Sequence, residues 1–411
     1  MTTLAPDPST SLRRQRSFVR FWCARVAATS AFQMQAVAVG WQIYDLTGSA
    51  FDLGLVGLVQ FVPVVALALV VGHVADRYDR RLVVRIAQLV EAVAAIALAI
   101  GSVEHRLGIP AIFAILFVAG TARAFELPTM HALVPGLVPA PLFSRAVAGS
   151  TSANQAAIVL GPAIGGVLYI AGPTVVYLTC TALFLGASVL ITLIHIEAPA
   201  RSREPFRLAS LFAGFAFIRG RRELVGVISL DLFAILLGGA IALLPVYARD
   251  ILRVGPEGLG MLRSAPALGA LASSILLSRH PLRRRVGPIL FAAVICFGAA
   301  TAVFAVSTSL ALSLAALALC GASDAVSVVI RFSLVQTRTP SEMRGRVSSV
   351  NSLFVGASNT LGDFEAGLTA AWFGVVPAVL IGGIGSVLVA LICMRLFPEL
   401  AAIESLDGPR A

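Results

Sequence analysis

Apolar runs of about twenty residues recur from one end of this chain to the other, each bounded by glycine, proline or charge. They lie near 18–44, 51–73, 82–101, 109–133, 146–170 and 173–196, then 223–247, 257–278, 286–306, 309–332, 347–371 and 374–397. A hydrocarbon layer about 30 Å thick takes a helix of roughly 20 residues. In lipid every backbone N–H and C=O must be paired within the protein, so segments of this length cross as helices. Composition agrees, because 58% hydrophobic and 13% charged residues give a soluble chain of 411 too little polar surface to hide behind. The expectation is an all-α integral membrane protein with twelve transmembrane helices and no separate soluble domain.

Every one of the 31 basic residues is arginine, and the net charge is +10. Taken without position, that charge would suggest nucleic acid. Its placement gives a different account. Arg13, Arg14, Arg16 and Arg20 precede the first span, Arg77, Arg80, Arg81 and Arg85 follow the second, and Arg145 follows the fourth. The same side then collects Arg201 to Arg222, Arg279 to Arg285, Arg338, Arg344, Arg346, Arg395 and Arg410, while Arg106, Arg249 and Arg253 fall opposite. This is the asymmetry of the positive-inside rule, and it predicts a bacterial inner-membrane protein with both termini cytoplasmic and no nucleic-acid partner. The first run carries Arg25, Gln33, Gln35 and Gln42 with no cleavage pattern, so it reads as a retained span and not a signal peptide.

Five isolated cysteines and five histidines near loop or helix ends form no disulfide framework and no ligand spacing, so neither a metal nor a cofactor is expected. No P-loop, nucleophile triad or paired acids on a soluble face is visible, and an enzyme is not expected.

A polar interruption near 197–222 divides the chain into an N-terminal tail (1–17), a six-helix bundle (18–196), a linker, a second six-helix bundle (223–397) and a C-terminal tail (398–411). Part of the linker could form an amphipathic helix on the membrane surface. A shift of 201 positions aligns Gly120 with Gly321, Leu133-Val134 with Leu334-Val335, Pro139 with Pro340, Arg145 with Arg346, Leu160-Gly161 with Leu361-Gly362 and Gly166 with Gly367. Parallel repeats of this kind describe a monomeric rocker-switch transporter embedded in the bilayer, with a small-molecule substrate bound near the midplane.

The loop after the second run reads Gly72-His73-Val74-Ala75-Asp76-Arg77-Tyr78-Asp79-Arg80-Arg81. It resembles the G-x-x-x-D-R-x-G-R-R signature of the major facilitator superfamily, with Asp79 where glycine is usual. The resemblance implies two pseudo-symmetric six-helix bundles and a cytoplasmic gate built from Gly72, Asp76, Arg77, Arg80 and Arg81. The matching loop of the second half, Ser278-Arg279-His280-Pro281, lacks the acid. Gly161-Pro162-Ala163-Ile164-Gly165-Gly166 is similar to a motif of exporters in this superfamily, and Gly161 and Gly165 at i, i+4 favour close helix packing. The phrases Tyr44 to Ser49, Asp76 to Arg81 and Thr339 to Val347 resemble the branch that contains the enterobactin exporter. That branch often carries an acid in the first half of span 1, where this chain has Ala31-Phe32-Gln33.

A charge near the bilayer centre costs about 2.5–3.5 kcal/mol on insertion scales, so intramembrane ionisable residues are functional candidates. Arg25 and Arg331 lie toward cytoplasmic ends, where snorkelling accounts for them at least as well. The repeat puts Arg123 and Asp324 at equivalent positions, which suggests a cation and an anion that pair in one transport state, and Glu126 is an alternative partner for Arg123. Asp231, Asp324, Glu126, Asp363 and Glu365 are the proton-coupling candidates. Arg123, Gln33, Gln35, Trp41 and Asn154 are candidates for the substrate cavity. Glu91 is assigned only an interhelical hydrogen bond. The expected function is a secondary exporter, coupled to protons, of a small amphipathic molecule such as a siderophore or drug. An uptake permease on the same fold and a transport-inactive receptor or assembly subunit are the alternatives.

Overall fold

A computed structural model of the chain describes residues 12, 15–67, 70, 71, 74, 77–104, 107–195, 215–282, 284–340 and 342–405. Helices occur where the apolar runs predict them. In order they are α1 (Arg16–Thr47), α2 (Ala50–Ala66), α3 (Arg80–Val103), α4 (Ile109–Leu133), α5 (Phe143–Tyr169) and α6 (Pro173–Thr192). Then come α7 (Arg222–Ile251), α8 (Pro256–Arg279), α9 (Val286–Val306), α10 (Leu310–Arg338), α11 (Arg344–Phe373), α12 (Val375–Leu396) and the short α13 (Pro398–Ala401). Among the described residues, α3, α4 and α6 to α10, with α12, are long and apolar enough to cross a membrane. The described part of α2 is 17 residues long, and α1, α5 and α11 interleave polar residues with apolar ones.

The pattern on these helices is inverted relative to a soluble protein. On α3, Ile86, Leu89, Val93, Ile96, Ile100 and Val103 are exposed at alternating spacings of three and four, while Gln88 and Glu91 are buried. Lipid solvates the apolar face and the polar face turns inward.

Contacts gather the chain into two compact units, residues 1–39 with 59–206, and residues 40–58 with 207–411. Both α1 and α2 therefore contribute to each unit. In the first unit α3 packs against α4 and α6, and in the second α9 packs against α10 and α12. Gly120 and Gly321, matched by the 201-residue register, mark equivalent crossings. A Cβ on Gly120 would lie 2.6 Å from the Gln60 carbonyl oxygen of α2, and one on Gly321 would lie 1.8 Å from the Pro266 carbonyl oxygen of α8. Where helices are surrounded by lipid, association comes from such close packing and not from hydrophobic burial.

Helix ends on the arginine-rich side are capped by arginine. Arg80 donates to the Ala132 carbonyl at the end of α4 (2.9 Å), Arg81 to the Ile194 carbonyl just beyond α6 (2.9 Å), and Arg20 to that of Leu193. The cations satisfy orphan carbonyls at the negative end of each helix dipole. Asp79, the departure from the superfamily signature, is the N-cap of α3 and accepts from the Arg81 N–H at 2.9 Å. In the second unit α9 has no side-chain cap. Its first N–H groups, those of Val286 and Gly287, donate instead to the carbonyls of Glu404 and Ile403. The C-terminal segment is thereby seated on α9, with Leu400 and Ile403 buried.

Candidate functional site

α7 is interrupted. Its regular part ends at Leu237, and after Gly238-Gly239 the chain continues as a 3-10 turn (Ala240–Leu243), a single α turn and a π turn (Tyr247–Ile251). The break lies hard against α11, since a Cβ on Gly239 would be 2.2 Å from the Gly362 carbonyl oxygen. Asp363 accepts a hydrogen bond from the freed N–H of Ala242. Beyond the break, the π turn presents Arg249 and Asp250 to the end of α1: Arg249 pairs with Asp45 at 2.7 Å and the Tyr44 hydroxyl donates to Asp250. The Tyr44 to Ser49 phrase thus has a structural role within the second unit.

Inside the regular part of α7 stands Asp231, and facing it from α10 are Asp324 and Arg331. Arg331 makes a close ion pair with Asp231, lies 3.6 Å from Asp324 and donates to the Ser327 carbonyl at 3.3 Å. The side chains of Arg331 and Asp231 are both 9% exposed and that of Asp324 is 45% exposed. A cavity of about 20 Å³ adjoins them, lined also by Ala234, Phe297 and Ser323. That volume holds about one water molecule. The cavity beside these three charged groups is thus of water size.

The first unit buries a second cluster. Arg123 pairs with Glu126 on the same helix, and Gln88 of α3 donates to the other Glu126 oxygen at 3.0 Å. The Arg123 guanidinium lies 4.4 Å from the Phe32 ring centroid, a cation–π contact. Of the two partners considered for Arg123, the structure supplies Glu126, and Asp324 is held by Arg331.

Arg331 and Arg25 depart from the snorkelling expectation. Both are 8% exposed, and Arg25 donates to the Ser150 hydroxyl at 2.9 Å. The reason is helix length: α10 runs to Arg338 and α1 starts at Arg16, so each arginine sits well inside its helix.

The remaining candidates divide by neighbourhood. Asn154 accepts from Thr29 at 3.0 Å along the seam between α1 and α5. The export-type motif lies on that seam, where a Cβ on Gly161 would be 2.7 Å from the Gln33 Cβ and one on Gly165 would be 2.8 Å from the Met34 Cα. Pro162 and Gly166 are buried in the same helix. Gln33 is half-buried and contributes its Cβ to that seam, while the Gln35 side-chain oxygen is buried without a partner among the described residues. Trp41 is half-buried. Glu365 accepts from Thr369 at 2.7 Å, a local contact along α11. Of the gating residues, Arg77 is exposed, Arg80 and Arg81 cap helices as described, and Gly72 and Asp76 lie outside the described residues, as does linker stretch 196–214.

The profile of transmembrane secretion effectors, a division of the major facilitator transporters, matches residues 7–409. The chain belongs to that family. It is 25% identical to an enterobactin exporter, EntS, of Salmonella choleraesuis over 95% of this chain and 94% of the relative. It is 27% identical to an enterobactin exporter of Escherichia coli O139:H28 over 92% of this chain and 87% of the relative. Among solved structures it is similar to a bacterial homologue of the lysosomal transporter Spinster (TM-score 0.75, 13% identity, 96% of this chain and 99% of that one). It also resembles a bacterial homologue of the iron transporter ferroportin (TM-score 0.72, 16% identity, 94% and 99%). This secretion effector is a multi-pass membrane transporter with a major facilitator fold.

Proposed function

We propose that this transporter is a proton-coupled exporter of a small amphipathic molecule, siderophore-like or drug-like, in a bacterial inner membrane. In this reading twelve spans form two six-helix halves that alternate access, and both termini are cytoplasmic. The observation that carries proton coupling is the group of Asp231, Asp324 and Arg331 beside a water-sized cavity. One guanidinium serves two carboxylates, so the group holds one negative charge more than its cation balances, and a proton restores neutrality. Asp324, the more exposed and more loosely held acid, is the proton-exchanging residue, and Asp231 holds Arg331 in place. Export as the direction is supported by the relatives' exporter names and by Gly161 to Gly166 on the α1–α5 seam.

The test uses purified transporter in proteoliposomes enclosing a pH-sensitive dye, with enterobactin and ethidium as separate probes. The expected result is a probe-dependent proton flux that Asp324→Asn reduces at least tenfold while the variant remains folded. Probe movement that continues unchanged without a pH gradient and in Asp324→Asn would overturn proton coupling. Accumulation of either probe on the side opposite to export would overturn the direction.

A further inference from the structure

The first unit holds a buried acid that the transport reading above does not use. Glu91 on α3 is 3% exposed, and neither of its carboxylate oxygens has a hydrogen-bond partner among the described residues. Gln88, three residues earlier on the same helical face, is fully buried and spends its NH₂ group on Glu126, leaving its own side-chain oxygen unpartnered. Glu126 is already served at both oxygens, by Gln88 and by Arg123.

Hydrogen-bond accounting then gives a definite shortage. Three acceptor atoms, two on Glu91 and one on Gln88, are buried with no donor for any of them among the described residues. Leaving a buried acceptor unsatisfied costs about 1–3 kcal/mol, and more when it is charged. The charged groups that act on Glu91 are Glu126 and Arg123, both from α4. α6, also packed against α3, contributes Tyr177 and Cys180 as its titratable residues. Arg25 of α1, buried in the same unit, acts on Arg123 and Glu126 in turn, so the wider cluster balances two carboxylates with two arginines and what it lacks is a hydrogen-bond donor at Glu91. A single proton supplies that donor: on one Glu91 oxygen it neutralises the buried carboxylate and turns an acceptor into a donor, which the Gln88 oxygen on the same face can receive, leaving one of the three acceptors to pair.

We propose that Glu91 is a proton-binding site of the first unit, separate from Asp231 and Asp324, which holds its proton in the folded transporter. The step is the simple addition of H⁺ to a carboxylate oxygen. An alkali cation is a poorer occupant, because three oxygens fall short of its coordination sphere whereas one proton accounts for two of the three and removes the charge of the buried carboxylate. The proposal rests on neither cargo nor direction, and its test needs neither.

The full-length transporter in detergent is unfolded thermally at a series of pH values, as wild type and as Glu91→Gln, which keeps a neutral side chain of the same shape. In the unfolded chain Glu91 ionises above about pH 4.3. A residue that keeps its proton when folded therefore makes the folded state lose ground as pH rises. The wild type should fall in unfolding temperature between acidic and mildly alkaline pH by roughly 4 °C or more beyond the fall of Glu91→Gln. The variant should match or exceed the wild type at the alkaline end. Infrared spectra should contain a protonated carboxyl band in the wild type that Glu91→Gln removes and Glu91→Asp shifts, so the site can be read even if the amide variant folds poorly. A variant less stable by the same margin at every pH, or spectra without such a band, would overturn the proposal. So would stabilisation by sodium chloride over choline chloride that Glu91→Gln abolishes, since the occupant would then be sodium.

Discussion

In the second unit one arginine joins two helices, whereas in the first an arginine and its carboxylate stand three residues apart on a single helix. Arg331 of α10 reaches Asp231 of α7 and Asp324 of its own helix, so the cluster exists only while α7 and α10 keep their present relation. Arg123 and Glu126 both belong to α4, and their pairing survives any movement of α3. The helix that carries Asp231 is also the one broken at Gly238-Gly239, a few residues further on. The charge network of the second unit is thus tied to a helix whose continuation is irregular, while that of the first unit is local and leaves its second acid, Glu91, without a partner. Two carboxylates thus share one arginine in an interhelical tie in one case, and in the other stand as a self-contained pair and a spare acid with a second arginine, Arg25, acting on the pair.

The sharpest way to break that comparison is to remove each arginine. Arg331→Met strips Asp231 of its ion-pair partner, and no other donor reaches the buried Asp231 oxygen among the described residues. Removing one member of a buried pair costs about 3–5 kcal/mol, so we expect a large drop in unfolding temperature or failure to accumulate. Asp231→Asn added to Arg331→Met should restore most of it. Arg123→Met should cost less, because Glu126 keeps the Gln88 hydrogen bond. Monodispersity and thermal unfolding of the variants decide the order, and equal losses would show that the interhelical tie carries no extra weight.

How far this contrast could be read from the chain depends on the residue. The 201-residue register, Gly120 with Gly321 above all, is a property of spacing, and the helices it matches recur at equivalent crossings. The Arg123 and Glu126 pair follows from i, i+3 geometry alone. Arg331 reads as a span-end residue in the sequence because hydropathy ends a span where apolar residues thin out, near 332, while the backbone keeps its helical hydrogen bonds through Arg338. A polar last turn is invisible to a hydropathy window. Asp231 facing Arg331 is a contact between helices far apart in sequence, for which no local pattern exists. The break in α7 did have a local signal, Gly238-Gly239 within an apolar run. Asp79 had one too, since an acid just before a helix is a common N-cap, although it could also be taken only as a departure from a family signature.

A second prediction sharpens the comparison at the two matched crossings. Gly321→Ala would place a methyl 1.8 Å from a backbone oxygen of α8, and Gly120→Ala would place one 2.6 Å from a backbone oxygen of α2. Neither neighbour is a flexible side chain, so each substitution pushes two helices apart, at about 1–3 kcal/mol. Gly321→Ala is expected at the upper end and Gly120→Ala at the lower. Thermal unfolding in detergent measures both, and the reverse order would mean that the α2–α4 crossing is the more rigid of the two.

The smallest effect is expected where the two units start equivalent helices by different means. α9 is capped by the backbone of the C-terminal segment, at Ile403 and Glu404, and α3 by the Asp79 side chain. Asp79→Ala removes the side-chain cap of that helix, at a cost of about 0.5–1 kcal/mol, the low side of the N-cap range because the side chain is half exposed. The hydrogen bond and charge of Arg81 hold the Asp79 carboxyl below its ordinary range, with backbone N–H groups adding to this. A lowered value means that the stabilisation is present above the unfolded value, near pH 3.9, and is lost as pH falls through the folded one. Wild type and Asp79→Ala should therefore differ at neutral pH and converge in acid. Asp79→Asn, which keeps the cap acceptor and loses the charge, should lie between them at neutral pH, and a gap that persists in acid would show that Asp79 acts through shape and not through its carboxylate.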